Sequence, residues 1–203
     1  MVVDLAPTVA GLVAGLSLIV AIGAQNAYVL RQGLRREHVG TVVAVCAISD
    51  LVLIVAGVAG IGTLVERAPA TIEVVRWLGV AFLTAYGLMS LWRAGRLEGL
   101  HADAGRGTSL RGALARALAL TWLNPHVYLD TVLLLGTIAT THGSSGRWWF
   151  AAGACVASVL WFAALGYGAR RANRLLAAPR AWQVLDVLIG LTMLAIALSL
   201  ARD

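Results

Sequence analysis

Charge is scarce in this 203-residue chain, and lysine is absent from it altogether. Only 13% of its residues are charged and 60% are hydrophobic, with a mean hydropathy of +0.83. A soluble domain carries roughly 25% charged residues, so the deficit excludes an ordinary soluble fold and predicts a membrane protein. The two cysteines, Cys46 and Cys155, both fall inside apolar runs. They give no disulfide framework and no metal-ligand spacing, and they read as small core residues. No HExxH, Ser-His pairing or Cys-rich motif is present, which argues against a membrane-embedded enzyme and against a bound metal or cofactor. Before Thr8 there is no basic residue, only Asp4, so the first apolar run reads as a span and not as a cleaved signal peptide.

What is present is a series of six apolar runs, at about 8–30, 39–63, 72–92, 113–139, 148–169 and 182–201. Each holds enough residues for the ~20 that cross a ~30 Å hydrocarbon core as a helix. The predicted class is therefore an all-α polytopic membrane protein of six transmembrane helices, a single domain over 1–203. Tryptophans such as Trp77, Trp92, Trp148, Trp149 and Trp182 sit near run ends, as an interfacial belt requires.

All sixteen basic residues are Arg, and their distribution carries a message that the net charge of +6 does not. Arg31, Arg35 and Arg36 follow the first run; Arg93, Arg96, Arg106 and Arg111 follow the third; Arg170, Arg171, Arg174 and Arg180 follow the fifth. The even connections hold only Arg67 and Arg147. By the positive-inside bias the odd connections are cytoplasmic and both termini extracytoplasmic. The basic charge is thus a topology signal, with a lipid bilayer and not nucleic acid as its partner.

A shift of 109 residues lays Cys46 on Cys155, Ser49 on Ser158 and Gly57 on Gly166. With a different offset, "QNAYVL" (25–30) lies loosely over "NPHVYL" (124–129). Two halves, about 1–95 and 110–203, joined by a cytoplasmic loop would each hold three spans. An odd number inverts the second half, which is the build of many secondary transporters.

The polar residues inside these runs need a reason. Asp50 lies near the centre of the second run and Asp130 deep in the fourth, where a carboxylate costs about 2.5–3.5 kcal/mol on the insertion scale. Twelve Val, Ile and Leu residues let the second run insert regardless. One reading is a buried pair with an Arg reaching inward, such as Arg76, Arg93 or Arg116. The other is that the cation is a substrate, a proton or both. Cys46, Asp50, Leu53, Gly57 and Gly60 follow helical three-four spacing, which turns Asp50 toward a tightly packed neighbour. Gly11 and Gly15 make a similar contact face.

In "TWLNPHVYLD" (121–130), Asn124-Pro125 is expected to break or kink the fourth helix. The N–H groups that follow, near His126 and Tyr128, then form the positive end of a half-helix, a seat for a carboxylate. The alternative is a plain structural kink. Gln25 and Asn26 either hold an amino acid's polar groups or bond helix to helix, and His126 is a proton relay or a satisfied structural imidazole.

The segments "IGAQNAYVLRQGLRREHV", "CAISDLVLIVAGVAG", "TWLNPHVYLDTVLLLG" and "GRWWFAAGACVASVLWF" resemble the LysE family of bacterial basic-amino-acid exporters over nearly the whole chain. The resemblance implies efflux of L-lysine, L-arginine or both across the cytoplasmic membrane, driven by the proton motive force, from a six-helix, two-repeat protein. It implies Asp50 and Asp130 as the key acids and Gln25, Asn26, Asn124 and Pro125 as broken-helix positions. Family members that read Gly-Pro-Gln-Asn have proline where this chain has Ala24, which leaves Gly23 to supply flexibility in the first span. Export of another small amino acid or amine, as in the wider superfamily, is the alternative, and homo-oligomer formation is left open.

Overall fold

A computed structural model of the chain describes residues 4–20, 23–60, 69–95, 109–124, 127–172 and 179–202. Among these, all regular structure is helical: α1 (Leu5–Ile19), α2 (Ala24–Arg35), α3 (Val39–Val58), α4 (Pro69–Ala94), α5 (Leu110–Trp122), α6 (Tyr128–Thr140), α7 (Gly143–Ala172) and α8 (Pro179–Arg202). Among the described residues, helices α3, α7 and α8 are each long and apolar enough to cross a membrane, and α1 and α2 together pass the same test as a bent pair, either a broken span or a re-entrant loop. The fourth apolar run is shared between α5 and α6, of 13 residues each. At 1.5 Å per residue neither crosses a ~30 Å core alone.

Small residues set the packing. Helix α1 buries Pro7, Gly11 and Gly15 against α7. A Cβ on Gly11 would collide with the Phe150 carbonyl, and one on Gly153 with the carbonyl of Thr8. Two further crossings mirror each other. Helix α2 meets α7 at Gly33 and Gly166, where a Cβ on Gly33 would lie 2.5 Å from the Gly166 carbonyl oxygen. Helix α6 meets α3 at Gly136 and Gly57, where a Cβ on Gly136 would lie 2.6 Å from the Gly57 carbonyl oxygen. The first broken element thus packs on α7 and the second on α3.

The expected face of α3 is the buried one. Cys46, Asp50, Leu53 and Gly57 are buried, while Ile48, Val52 and Val55 point outward. Gly60 departs from it: it lies past the helix end, exposed, at φ +95°, a conformation that glycine adopts without strain.

Hydrogen bonds gather the Arg-rich ends on one face. Arg36 Nη2 donates to the Arg170 carbonyl (3.2 Å), Gln183 Nε2 to the Ala94 carbonyl (3.1 Å) and Tyr28 Oη to the Ala113 carbonyl (3.3 Å). The C-terminal end of α2 thus meets that of α7, the C-terminal end of α4 meets the start of α8, the start of α5 meets α2 at Tyr28, and Arg31 of α2 bonds Asp186 of α8. One assignment is corrected. Arg31, grouped by sequence with the first connection, lies within α2 and is buried. The helix runs on past the apolar run to Arg36, whose left-handed backbone (φ 57°) ends it.

Candidate functional site

Both helix breaks open onto one cavity of about 210 Å³. Gly23, extended at φ −101° and ψ 175°, leads into α2. Across this break the Asn26 side chain returns to the end of α1: its Nδ2 donates to the Ile19 carbonyl at 2.6 Å. Its Oδ1 accepts from Trp161 Nε1 of α7 at 3.2 Å. These bonds join α2 to α1 and α7, and Asn26 lines the cavity as well.

Gln25, its neighbour, behaves differently. It is 9% exposed, lines the cavity and lies against Asp50 and Cys46, yet its Nε2 has no hydrogen-bond partner. A buried donor left unmade costs about 1–3 kcal/mol, so a polar group entering the cavity could satisfy it.

Asp50 sits on the same wall, 6% exposed. The Ser158 hydroxyl donates to its Oδ2 at 3.0 Å. No arginine is paired with it among the described residues; Arg76 is held by Glu73 at 2.7 Å. A neutral hydroxyl stabilises a carboxylate without cancelling its charge, so the potential of Asp50 remains available to a cation entering the cavity.

The second break is built alike. Helix α5 ends at Trp122, whose carbonyl accepts from Tyr128 Oη at 2.8 Å, while its indole donates to Ser49 of α3 at 3.2 Å. Tyr128 therefore bridges the second break as Asn26 bridges the first. Asn124 is buried and lines the cavity, and its carbonyl accepts from the Val127 N–H at 3.1 Å. Pro125 and His126 lie outside the described residues.

Helical structure then resumes with a π-helical stretch, Tyr128–Leu134, in which the Leu135 N–H reaches back five residues to the Asp130 carbonyl. Such stretches occur often at functional sites. Asp130 stands on it, lining the cavity while exposed, where the cavity meets the surface. Gln25, Asn26, Asp50, Asn124 and Asp130 are thus brought together.

Sequence reasoning missed several partners. Ser158 holds Asp50 and Ser49 holds Trp122; the 109-residue shift had already paired these serines, without suggesting that they face carboxylate and indole. It also overlooked a third acid. Asp186, inside the sixth run, is 3% exposed and its Oδ1 lies 2.6 Å from Arg31 Nη1. The signal was a carboxylate four residues inside an apolar run.

A family model described as "LysE type translocator" matches residues 16–203. A lysine exporter, LysE, of Corynebacterium diphtheriae is 40% identical, over 92% of this chain and 94% of its own. The arginine exporter protein ArgO of Yersinia enterocolitica is 42% identical over 92% of each. A Mycobacterium tuberculosis protein is 47% identical over 90% of each. No solved structure matches.

Proposed function

Since the chain belongs to the LysE family of amino-acid translocators, we propose that it is a secondary active exporter of L-lysine, L-arginine or both, driven by proton-coupled alternating access. The observation that carries this reading is the cavity in which a buried carboxylate faces a partnerless amide donor. A cationic amino acid has two positive groups and one negative. Asp50 and Asp130 offer two sites for the ammonium and side-chain cation, and Gln25 Nε2 offers a donor to the α-carboxylate. Asn124 adds a polar group at the second break.

The architecture proposed is six spans in two inverted halves, about 1–95 and 110–203, in one transmembrane domain of the bacterial cytoplasmic membrane. The mirrored crossings, Gly33 with Gly166 and Gly136 with Gly57, support it, as do the matching side-chain bridges over the two breaks. The gathering of Arg-rich ends on one face supports a cytoplasmic face there, with both termini outside. Rocking of one half against the other would expose the cavity to each side in turn. Proton binding at Asp50 or Asp130 from outside would release the cation.

The test is efflux of labelled L-arginine and L-lysine from proteoliposomes, with and without an opposing proton gradient. Saturable, gradient-stimulated efflux is expected. Saturable efflux of neutral amino acids in its place would move the chain to the other substrate class of the wider superfamily, and absence of any amino-acid efflux would sink the reading.

A further inference from the structure

The buried pair of Arg31 and Asp186 takes no part in the cavity, and its position gives it a use. Arg31 lies six residues beyond Gln25 along α2, and Asp186 ten residues before Ile196 along α8; Gln25 and Ile196 both line the cavity. At 1.5 Å per residue the pair lies roughly 9–15 Å from the cavity along both helices. Both helices run from there to the face where the Arg-rich ends gather. The pair joins a helix of the first half to a helix of the second, so movement of the halves on that side must part it.

A second observation concerns Gln32, the next residue of α2. Its Nε2 donates to Tyr28 Oη at 2.8 Å, but its Oε1, in a residue 2% exposed, has no donor. A buried amide oxygen thus stands on α2 next in sequence to Arg31, and the buried Asp186 carboxylate is filled by that guanidinium of the chain itself. The seated ligand has the chemistry of an arginine side chain.

We propose that Asp186 is an entrance site for guanidinium or primary ammonium groups, and that Arg31, by occupying it, closes the cytoplasmic route to the cavity. An incoming cation takes the place of Arg31 on Asp186, the two helices part, and the cation passes on toward Asp50. The exchange leaves the buried carboxylate paired throughout, which matters because a buried charge stripped of its partner is strongly destabilising. This assignment rests on the exporter reading, with the Arg-rich face cytoplasmic.

The experiment reads access to the cavity without using efflux, so it remains interpretable if the substrate is another one. Cys46 and Cys155 are replaced by serine and Ile54, buried in the cavity wall, by cysteine. Its reaction with a small cationic thiosulfonate is timed in membrane vesicles of either orientation. In Arg31→Gln/Asp186→Asn, which leaves no lone buried charge, the rate from the cytoplasmic face rises about tenfold, the shift produced by ~1.4 kcal/mol. The exchanged pair, Arg31→Asp/Asp186→Arg, regains protection. The same rise is expected in Arg31→Ala; with the pair intact, guanidinium ion in the bath raises the rate, and it has no effect in the neutral pair. An unchanged rate in the neutral pair overturns the proposal, as does an equal rise from the opposite face. So does failure of the neutral pair to reach the membrane while the exchanged pair accumulates, since the ion pair would then serve assembly alone. If Arg31→Ala does not accumulate, the neutral and exchanged pairs decide the matter.

Discussion

Replacing Asp50 by asparagine separates charge from packing at the centre of the cavity. The two side chains have nearly the same shape, and an amide oxygen accepts the Ser158 hydroxyl at 3.0 Å as the carboxylate does. Folding is therefore expected to hold, with a change in thermal midpoint of a few degrees at most. What disappears is the attraction for a substrate cation. Two unit charges 4 Å apart interact by about 4 kcal/mol at an effective dielectric of ~20. The hydrogen bond that replaces the ionic one returns part of this, since bonds to charged groups are worth about 1.5–3 kcal/mol and neutral ones about 1. A net loss of about 1.5–3 kcal/mol corresponds to a roughly 10- to 100-fold fall in kcat/KM for a cationic amino acid. Ser158→Ala keeps the charge and removes one stabilising hydroxyl, so a smaller loss is expected from it. The assay is initial efflux against internal concentration in proteoliposomes, with protein orientation checked. Asp50→Asn efflux within twofold of wild type, in folded protein, would refute the assignment of Asp50 to the substrate cation.

Gln25→Ala and Asn26→Ala are expected to fail in different ways. Gln25 Nε2 has no well-aligned acceptor, so its truncation is expected to lower the thermal midpoint in detergent less than Asn26→Ala does, while raising KM. Asn26→Ala loses two bonds of about 1 kcal/mol each and lowers the midpoint. Gly57→Ala sets a Cβ 2.6 Å from the Val132 carbonyl oxygen and should cost about 1–3 kcal/mol by overpacking, whereas Gly168→Ala, with nothing within 4 Å, should be neutral in the same unfolding measurement. Arg31→Ala should destabilise by about 3–5 kcal/mol by taking the guanidinium away from the buried Asp186 carboxylate, and Arg31→Met/Asp186→Leu should recover most of that loss.

The parts legible in the sequence are those that obey a local rule. Helical spacing announced the buried face of α3, because one side of a packed helix must exclude lipid while Ile48, Val52 and Val55 face it. Hydropathy announced the apolar runs, and the Arg bias announced which helix ends share a face. The partners were not legible, because they are decided by helix crossings that spacing does not encode. Nothing local to Ser158 says that it meets Asp50, and nothing in "QN" says that Asn26 bonds Ile19 and Trp161 while the Gln25 Nε2 is left without an acceptor. Arg31 was misread for a related reason: a hydropathy run ends where charge begins, but a helix ends where its backbone turns, at Arg36.

Two of the acids within the apolar runs are deeply buried, and the fold treats them in opposite ways. Asp186 receives a guanidinium at 2.6 Å, and with it the neutrality that a low-dielectric interior demands. Asp50 receives a hydroxyl and lies beside an amide whose Nε2 has no well-aligned acceptor. Had stability alone selected these residues, an asparagine at Asp50 would serve the Ser158 bond as well without the insertion cost of about 2.5–3.5 kcal/mol that a carboxylate carries at the bilayer centre. A charge that the fold neither neutralises nor needs for packing is a charge kept for something that comes and goes. On the proposed exporter reading, a substrate cation and a proton, taken in turn, are the ligands that Asp50 would hold and release.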